Sequence, residues 1–295
     1  MEADRGRRAD PVREMIRQYY GEECRILTVR RSGGTRAFLF VVDAMYRGRQ
    51  LRTLGTVGRM NEVMEHSAMD LLSPERLVFP YERLMLMSLA IAETPGRALL
   101  LGLGGGAMIR HLATHFPDLD VDVVERDRGV IALAREHFHI DRPVTRADGT
   151  VVVADAAGEY DVVMVDLYDA SGAAPLEPEF WQDCIAALRP GGCLAVNWAG
   201  GWTGGEMGTA WQKVGRVAPR LERSFFVVER GPRGNIVQFV PASPGFRAAS
   251  LEARWLAYSS RHALPREDRD ILQRCEVRTR FPPVRHGGRV SAAPA

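Results

Sequence analysis

One stretch, Leu101-Gly-Leu-Gly-Gly-Gly-Ala107, constrains the fold of this chain more than any other. The apolar run Ala98-Leu-Leu-Leu-Gly102 leads into it, and helical spacing over residues 108–116 follows. A strand that runs through glycines into a helix lets the backbone turn tightly. It also leaves the first N–H groups of the helix without partners inside the helix. A ligand can then approach the main chain closely, and helix N-termini favour negative charge. A Gly-rich turn without a ligand has the same local chemistry, so the flanking pattern has to decide.

That pattern alternates. After the glycines come a strand, Val121-Asp-Val-Val-Glu125, and a helix over 129–138. A short candidate strand over 144–147 and a turn or helix over 150–157 follow, then the apolar strand Tyr160-Asp-Val-Val-Met-Val-Asp166. A helix over 177–188 closes at Arg189-Pro-Gly-Gly192, and further strands are predicted at 193–197, 224–229 and 235–240. Alternating helices and apolar strands imply an α/β fold with a parallel, doubly wound, Rossmann-like sheet. Ahead of it, Arg25-Ile-Leu-Thr-Val-Arg30, Ala37-Phe-Leu-Phe-Val-Val-Asp43 and Arg49-Gln-Leu-Arg-Thr-Leu-Gly55 read as a small antiparallel β region. Arg31-Ser-Gly-Gly-Thr35 serves there as a turn. Residues 80–91 have helical spacing with Pro80 at the start, and Met85 and Met87 read as core. The expected boundaries are a polar segment 1–23, the β region 24–70, a Rossmann-like domain 71–245, and a helical or irregular tail 246–295.

Composition removes several chemistries. Among 39 Lys and Arg residues, Lys213 is the single lysine, and it has neither a Gly-rich loop before it nor a Tyr four residues upstream. A pyridoxal Schiff base, a phosphate-loop lysine and a Tyr-x-x-x-Lys dehydrogenase pair are therefore set aside. A net charge of +2 gives no electrostatic case for nucleic acid. Cys24, Cys184, Cys193 and Cys275 form no C-x-x-C pair, which predicts buried free thiols in a reducing compartment. The N-terminus has no apolar stretch and the apolar runs are strand-sized, so the expectation is a cytoplasmic protein outside the membrane.

In doubly wound sheets, ligands sit at the carboxyl ends of the strands. Glu125 ends the second strand, about 20 residues past the glycines, where an acidic side chain accepts ribose hydroxyls. Nicotinamide and S-adenosyl ligands both use that device. Ala147-Asp148-Gly149 follows the third strand, where a carboxylate or the adjoining backbone reads an adenine amino group. Asp166 ends the fourth strand, and Tyr168 and Asp169 follow it.

Leu-Gly-Leu-Gly-Gly-Gly, Val-Val-Glu-Arg-Asp, Ala-Asp-Gly, Asp161-Val-Val-Met-Val-Asp-Leu-Tyr-Asp169 and Leu188-Arg-Pro-Gly-Gly192, in that order, resemble spermidine synthase-like proteins. These are polyamine aminopropyltransferases on the class I S-adenosylmethionine methyltransferase fold. The resemblance covers roughly residues 60–200. It implies that Gly102, Gly104, Gly105 and Gly106 flank the aminopropyl or aminoacyl part of the donor. It further implies that Glu125, with Arg126 beside it, binds ribose, and that Asp148 with Gly149 binds adenine. Asp166 would orient or deprotonate the attacking amine, Asp169 would hold the cationic acceptor, and Tyr81 matches a tyrosine near the acceptor. The implied donor is S-adenosylmethionine or its decarboxylated form, the acceptor a small amine or amino acid, the assembly a homodimer, and no metal is required.

The sequence departs from that family at three places. Ala107 stands where the family's loop has Asp. His66, followed by Ser67, is the nearest match to an upstream Gln, and is a second candidate base. Val78-Phe-Pro-Tyr81 lacks an acidic residue before the tyrosine. Transfer of the 3-carbon chain would release methylthioadenosine, and methyl transfer would release S-adenosylhomocysteine. Intramolecular cyclisation or elimination of the chain, a nicotinamide oxidoreductase and a non-catalytic binding protein are the alternatives. His111 and His115 are spaced i, i+4, which suits a metal, but read better as surface histidines.

Overall fold

The computed structural model describes residues 10–32, 37–58, 61–92, 94–167, 177–198, 224–229 and 235–279, with the backbone of 285–286 and 289–290. Asp169, Tyr168 and Lys213 lie outside the described residues. The chain forms two compact units. The first draws on Met1–Val78, Leu103–His111 and Asp127–Arg142; the second on Phe79–Gly102, Leu112–Arg126 and Pro143–Ala295.

The first unit is built on an antiparallel sheet of four strands in the order β1 (Arg25–Arg31), β2 (Phe38–Tyr46), β3 (Arg49–Val57) and β4 (Val63–Asp70). Helix α1 (Pro11–Tyr20) starts with Asp10 as N-cap, its carboxylate accepting from the Val12 N–H at 3.1 Å, and with Pro11 in the first turn. Its Val12 and Ile16 are buried with Phe40, Val42 and Val57 of the sheet. Helix α5 (Arg128–His137) belongs to the same unit. Asp127 caps it by accepting from the Gly129 N–H at 2.6 Å, and also accepts from the Ser32 hydroxyl at 2.8 Å. Arg52 makes a two-bond pair with Asp43, at 2.7 and 2.9 Å, and donates to the His137 carbonyl.

Strand β4 was not expected from the sequence. Val-Met-Glu-His-Ser-Ala-Met-Asp has one β-branched residue and several helix formers. Pairing along β3, from Leu51↔Asp70 to Val57↔Val63, overrides those preferences.

The second unit holds a seven-stranded sheet. Its parallel part is β5 (Arg97–Leu101), β6 (Asp120–Val124), β7 (Tyr160–Val165) and β8 (Leu188–Trp198), and β9 (Phe225–Glu229), β10 (Ile236–Pro241) and β11 (Cys275–Arg278) extend it antiparallel. The order is β11-β9-β10-β8-β7-β5-β6. The α/β sheet expected from the sequence is thus present, with a mixed rather than wholly parallel set of strands. Residues 144–147 contribute one bridge, Val124↔Thr145, instead of a full strand.

The order places β5 between β6 and β7, so the chain reverses direction across the sheet at the β5/β7 boundary. Such a switch point opens a crevice at the carboxyl ends of the strands. Helices α6 (Gly149–Ala154) and α7 (Pro178–Ala186) pack around this sheet, and Phe180, Trp181 and Cys184 of α7 are buried in its core.

The helix expected over 80–91 is broken at Leu86 into α2 (Pro80–Met85) and α3 (Met87–Ile91). Met85 and Met87 are fully buried, as core packing requires. The tail forms α8 (Leu251–Arg261) and α9 (Arg266–Arg269), then enters the sheet as β11. It is tied to α2 by a buried ion pair, Arg83 Nε to Asp268 Oδ1 at 2.7 Å, and the Trp255 indole N–H donates to the Asp268 carbonyl at 3.0 Å. Burial raises the Asp268 carboxyl above its ordinary range, and Arg83 pulls it back.

Removing Asp268 would leave the buried Arg83 guanidinium with the longer contact to Glu267, at 3.8 Å. Asp268→Ala should therefore lower stability by about 3 kcal/mol, read as a shift in urea midpoint at constant m.

Candidate active site

Asp166 is the best-defined site residue of the second unit. It follows β7 directly, and its N–H donates to the Leu101 carbonyl at 2.9 Å, which ties it to the end of β5. Gly102 lies at that same end with a φ of 102°, in the left-handed region, and a Cβ there would stand 2.2 Å from the Asp166 carbonyl oxygen. Only glycine allows the two backbones to come so close.

Two polar side chains bond the Asp166 carboxylate, and a third supports one of them. The Tyr81 hydroxyl donates to Oδ2 at 3.2 Å, and the Asn197 amide donates to Oδ1 at 2.8 Å. The Asn235 amide in turn donates to the Asn197 oxygen at 3.0 Å. Tyr81 enters from α2, whose start is set by Pro80 and by the Glu82 carboxylate accepting from the Phe79 N–H at 3.0 Å. Burial pushes the Asp166 carboxyl above the usual carboxylate range, while the bonds from Asn197 and Tyr81 favour its charged form. A base is more effective as its pKa approaches the working pH, so this environment suits proton abstraction.

Elsewhere in the second unit, Glu125 follows β6 half-buried, with its N–H bonded to the Thr145 carbonyl at 3.1 Å, and Arg126 beside it is exposed. Asp148 caps α6: its Oδ1 accepts from the Thr150 N–H at 3.0 Å and from the Thr150 hydroxyl at 2.8 Å. Those bonds, with a smaller contribution from Arg126, hold its carboxyl below the ordinary value. A Cβ on Gly149 would meet Leu167 and Leu101, so apolar side chains line the start of that helix.

In the first unit, Gly104, Gly105 and Gly106 lead into α4 (Ala107–His115). Gly106 has a φ of 71° and donates its N–H to the Leu103 carbonyl at 2.9 Å, closing the turn. A Cβ on Gly104 would lie 3.3 Å from Ser67 Cβ and 3.7 Å from the His66 carbonyl, so β4 runs against the glycine turn. His66 is the extra residue of a bulge: Gly55 pairs with Glu65 and Leu54 with Ser67. Bulges re-aim a side chain and are frequent beside active sites. The His66 ring shares a 2.8 Å hydrogen bond with the Thr56 hydroxyl, and burial lowers its pKa to about 4. The ring is neutral at pH 7 and, with so low a pKa, a weak base.

Ala107 is buried at the start of α4 and brings no carboxylate to that turn. The His111 ring meets the Glu75 carbonyl at 3.0 Å and is buried, not a surface residue. Among the described residues no three His, Cys, Asp or Glu side chains are grouped to hold a metal. No described helix is long and apolar enough to cross a membrane.

The family model for the spermine/spermidine synthase domain matches residues 79–235, which contain Tyr81, the glycines, Glu125, Asp148, Asp166 and Asn197. The chain belongs to this family. Within the spermine/spermidine synthase family it is 30% identical over 208 residues to the polyamine aminopropyltransferase of Chromobacterium violaceum, covering 66% of this chain and 74% of that protein. It is 32% identical over 146 residues to the polyamine aminopropyltransferase of Neisseria meningitidis, covering 47% of this chain and 54% of the relative. In fold it is similar to a probable spermidine synthase from Corynebacterium glutamicum, with a TM-score of 0.63, 19% identity, and coverage of 92% of this chain and 100% of that one. A spermidine synthase bound to the transition-state analogue AdoDATO superposes with a TM-score of 0.59 at 16% identity, over 84% of this chain and 88% of that one.

Asn197 and Asn235 are the site residues that sequence reasoning missed. A signal existed: Asn197 interrupts the apolar run from Cys193 to Trp198 near the carboxyl end of β8, and a buried amide in such a place requires partners.

Gly102→Ala combines left-handed strain with a backbone clash. It should cost about 2–5 kcal/mol by urea denaturation. His66 should show no titration between pH 5.5 and 8 by nuclear magnetic resonance. Its folded pKa lies below the unfolded value, so the stability from the neutral ring is present above about pH 6.5 and is lost as pH falls toward 4. His66→Gln should flatten the stability profile in that window.

Proposed function

We propose that this member of the spermine/spermidine synthase family is an S-adenosyl-dependent transferase. It moves the 3-carbon chain of S-adenosylmethionine or its decarboxylated form to a small amine and releases methylthioadenosine. The observation that carries this reading is the Asp166 carboxylate at the end of β7, bonded by Tyr81 and Asn197 and raised in pKa by burial. The relatives' names supply the reaction class. The residues present suit an adenosyl group: Gly102 leaves open backbone where a side chain cannot fit, Leu101 and Leu167 line an apolar wall, and Glu125 ends β6.

The bound donor supplies a carbon already attached to a sulfonium leaving group. The chain's own tasks are then positioning and charge. Glu125 would hold the ribose, and Asp148 with Gly149 the adenine. Asp166 would take one proton from the acceptor ammonium. The freed nitrogen lone pair forms the N–C bond, and the electrons of the broken C–S bond stay on sulfur. Tyr81 would steady the carboxylate, and Asp169 would complete the acceptor's surroundings. Ala107 offers no carboxylate to a donor ammonium, which supports a donor that retains its own carboxylate. The homodimer and the cytoplasmic compartment belong to the same reading, and four free cysteines, three of them buried, suit reducing conditions.

The test is mass spectrometry of the full chain incubated with each donor, with and without diamines and amino acids. Methylthioadenosine above the blank is the expected product, and S-adenosylhomocysteine instead would make the protein a methyltransferase. Neither product, with no adenosyl binding, would overturn the enzymatic reading. Asp166→Asn keeps both bonds in geometry, since an Asn oxygen can face Asn197 and an Asn N–H can face the Tyr81 oxygen. It should reduce turnover by on the order of 100- to 10,000-fold. A carboxyl raised by burial contributes stability below its unfolded pKa and loses it as pH rises. The melting temperature of Asp166→Asn should therefore exceed that of wild type at neutral pH, with the gap closing below about pH 4.

A further inference from the structure

We propose that Asn235 and Asn197 form an amide ladder that holds the Asp166 carboxylate in the orientation that receives the acceptor amine, which makes both of them positioning residues for the transferase reaction. The proposal rests on the reading above.

Asn197 is 2% exposed and sits in β8 between Val196 and Trp198, which are buried as well. A primary amide is nearly symmetrical in shape but not in chemistry, because one end donates and the other accepts. Packing alone cannot choose which end faces a neighbour; hydrogen-bond partners do. The Asn235 N–H donates to the Asn197 oxygen at 3.0 Å, and this leaves the Asn197 N–H to donate to Asp166 Oδ1 at 2.8 Å. Turned the other way, the amide would present oxygen to a carboxylate and N–H to N–H, and both contacts would be repulsive. Asn197 pairs with Val237 in the β8–β10 register, so Asn235, two residues before Val237 and just ahead of β10, is within side-chain reach.

The far oxygen of Asp166 accepts from the Tyr81 hydroxyl at 3.2 Å, so the carboxylate is held at both ends. Among the described residues, Tyr81 is the titratable group bonded to it, and the groups that set its proton affinity are Tyr81, Asn197 and burial. A carboxylate so fixed keeps its remaining lone pairs in one direction, as a base that must meet a positioned amine requires. The ladder thus extends the site to a residue that touches no reacting atom.

The test uses the full chain, with Asn197→Ala, Asn235→Ala and the double variant. Two readouts are taken. One is the pH profile of methylthioadenosine release. The other is a titration of the Asp166 carboxyl by carbon-13 nuclear magnetic resonance, which needs no activity. Losing a donor to a carboxylate disfavours the charged form, so the acid limb and the resonance midpoint should both move up. The expected shift is about one pH unit in Asn197→Ala and less in Asn235→Ala. Turnover should fall about tenfold in each single variant with KM for the donor within about twofold. The double variant should be no worse than Asn197→Ala, because Asn235 acts only through Asn197. Unchanged profiles with a lower melting temperature, or losses that add in the double variant, would overturn the ladder. Asn235 is half-buried and precedes β10, so its variant carries the test if Asn197→Ala does not fold. If wild type releases no methylthioadenosine, the transferase reading fails, and the resonance titration still decides the ladder. An Asp166 midpoint identical in all variants would refute it.

Discussion

The close approach of Gly102 to the Asp166 carbonyl, with the Asp166 N–H bonded back to Leu101, is the constraint on which the site in the second unit depends. It joins the ends of β5 and β7 at the point where the sheet reverses its winding. In doubly wound sheets ligands bind at such a point. A side chain at Gly102 would collide with the Asp166 backbone, and one of the two would have to shift. The glycine is needed for this backbone contact whether or not a ligand is bound.

A second theme is the use of buried polarity. Asp166, Asn197 and Asp268 all sit where burial opposes charge or unsatisfied hydrogen bonds, and each is provided with partners. The two carboxylates differ in purpose. Asp268 is paired with a guanidinium, which neutralises it and clamps the tail onto α2. Asp166 is bonded by neutral groups, so the burial cost to its charged form is only partly offset. A carboxylate left in that condition takes up a proton readily, and the same condition makes it a local burden on stability. Stability and proton affinity are thereby set against each other at one residue.

The sheet and its crevice were legible because apolar strands and glycine turns are local signals. Ala98-Leu-Leu-Leu-Gly102 and Tyr160-Asp-Val-Val-Met-Val-Asp166 carry their burial in their composition, and the fold follows from their alternation with helices. β4 was not legible, since Met, Glu and Ala favour helices, and only the open edge of β3 makes a strand of Val63–Asp70. β11 was hidden for a similar reason. Four residues, Cys275–Arg278, say nothing until the edge of β9 is present to receive them. The break at Leu86 also escaped the periodicity, because residues around it are buried on every side and no polar face marks a boundary.

The sequence by itself determined the α/β class from local spacing and the family from the order of short motifs; spacing singled out Gly102, Glu125, Asp148 and Asp166, and the family resemblance added Tyr81. Tertiary structure decided what those residues experience. It made His66 the extra residue of a bulge and a weak base, engaged the Asp148 carboxylate as a helix cap, and brought Asn197 onto the Asp166 carboxylate with Asn235 behind it. Proton affinity and hydrogen-bond direction depend on burial and on partners far apart along the chain. A one-dimensional pattern holds the residues that take part, and only the folded chain holds the distances that set their chemistry.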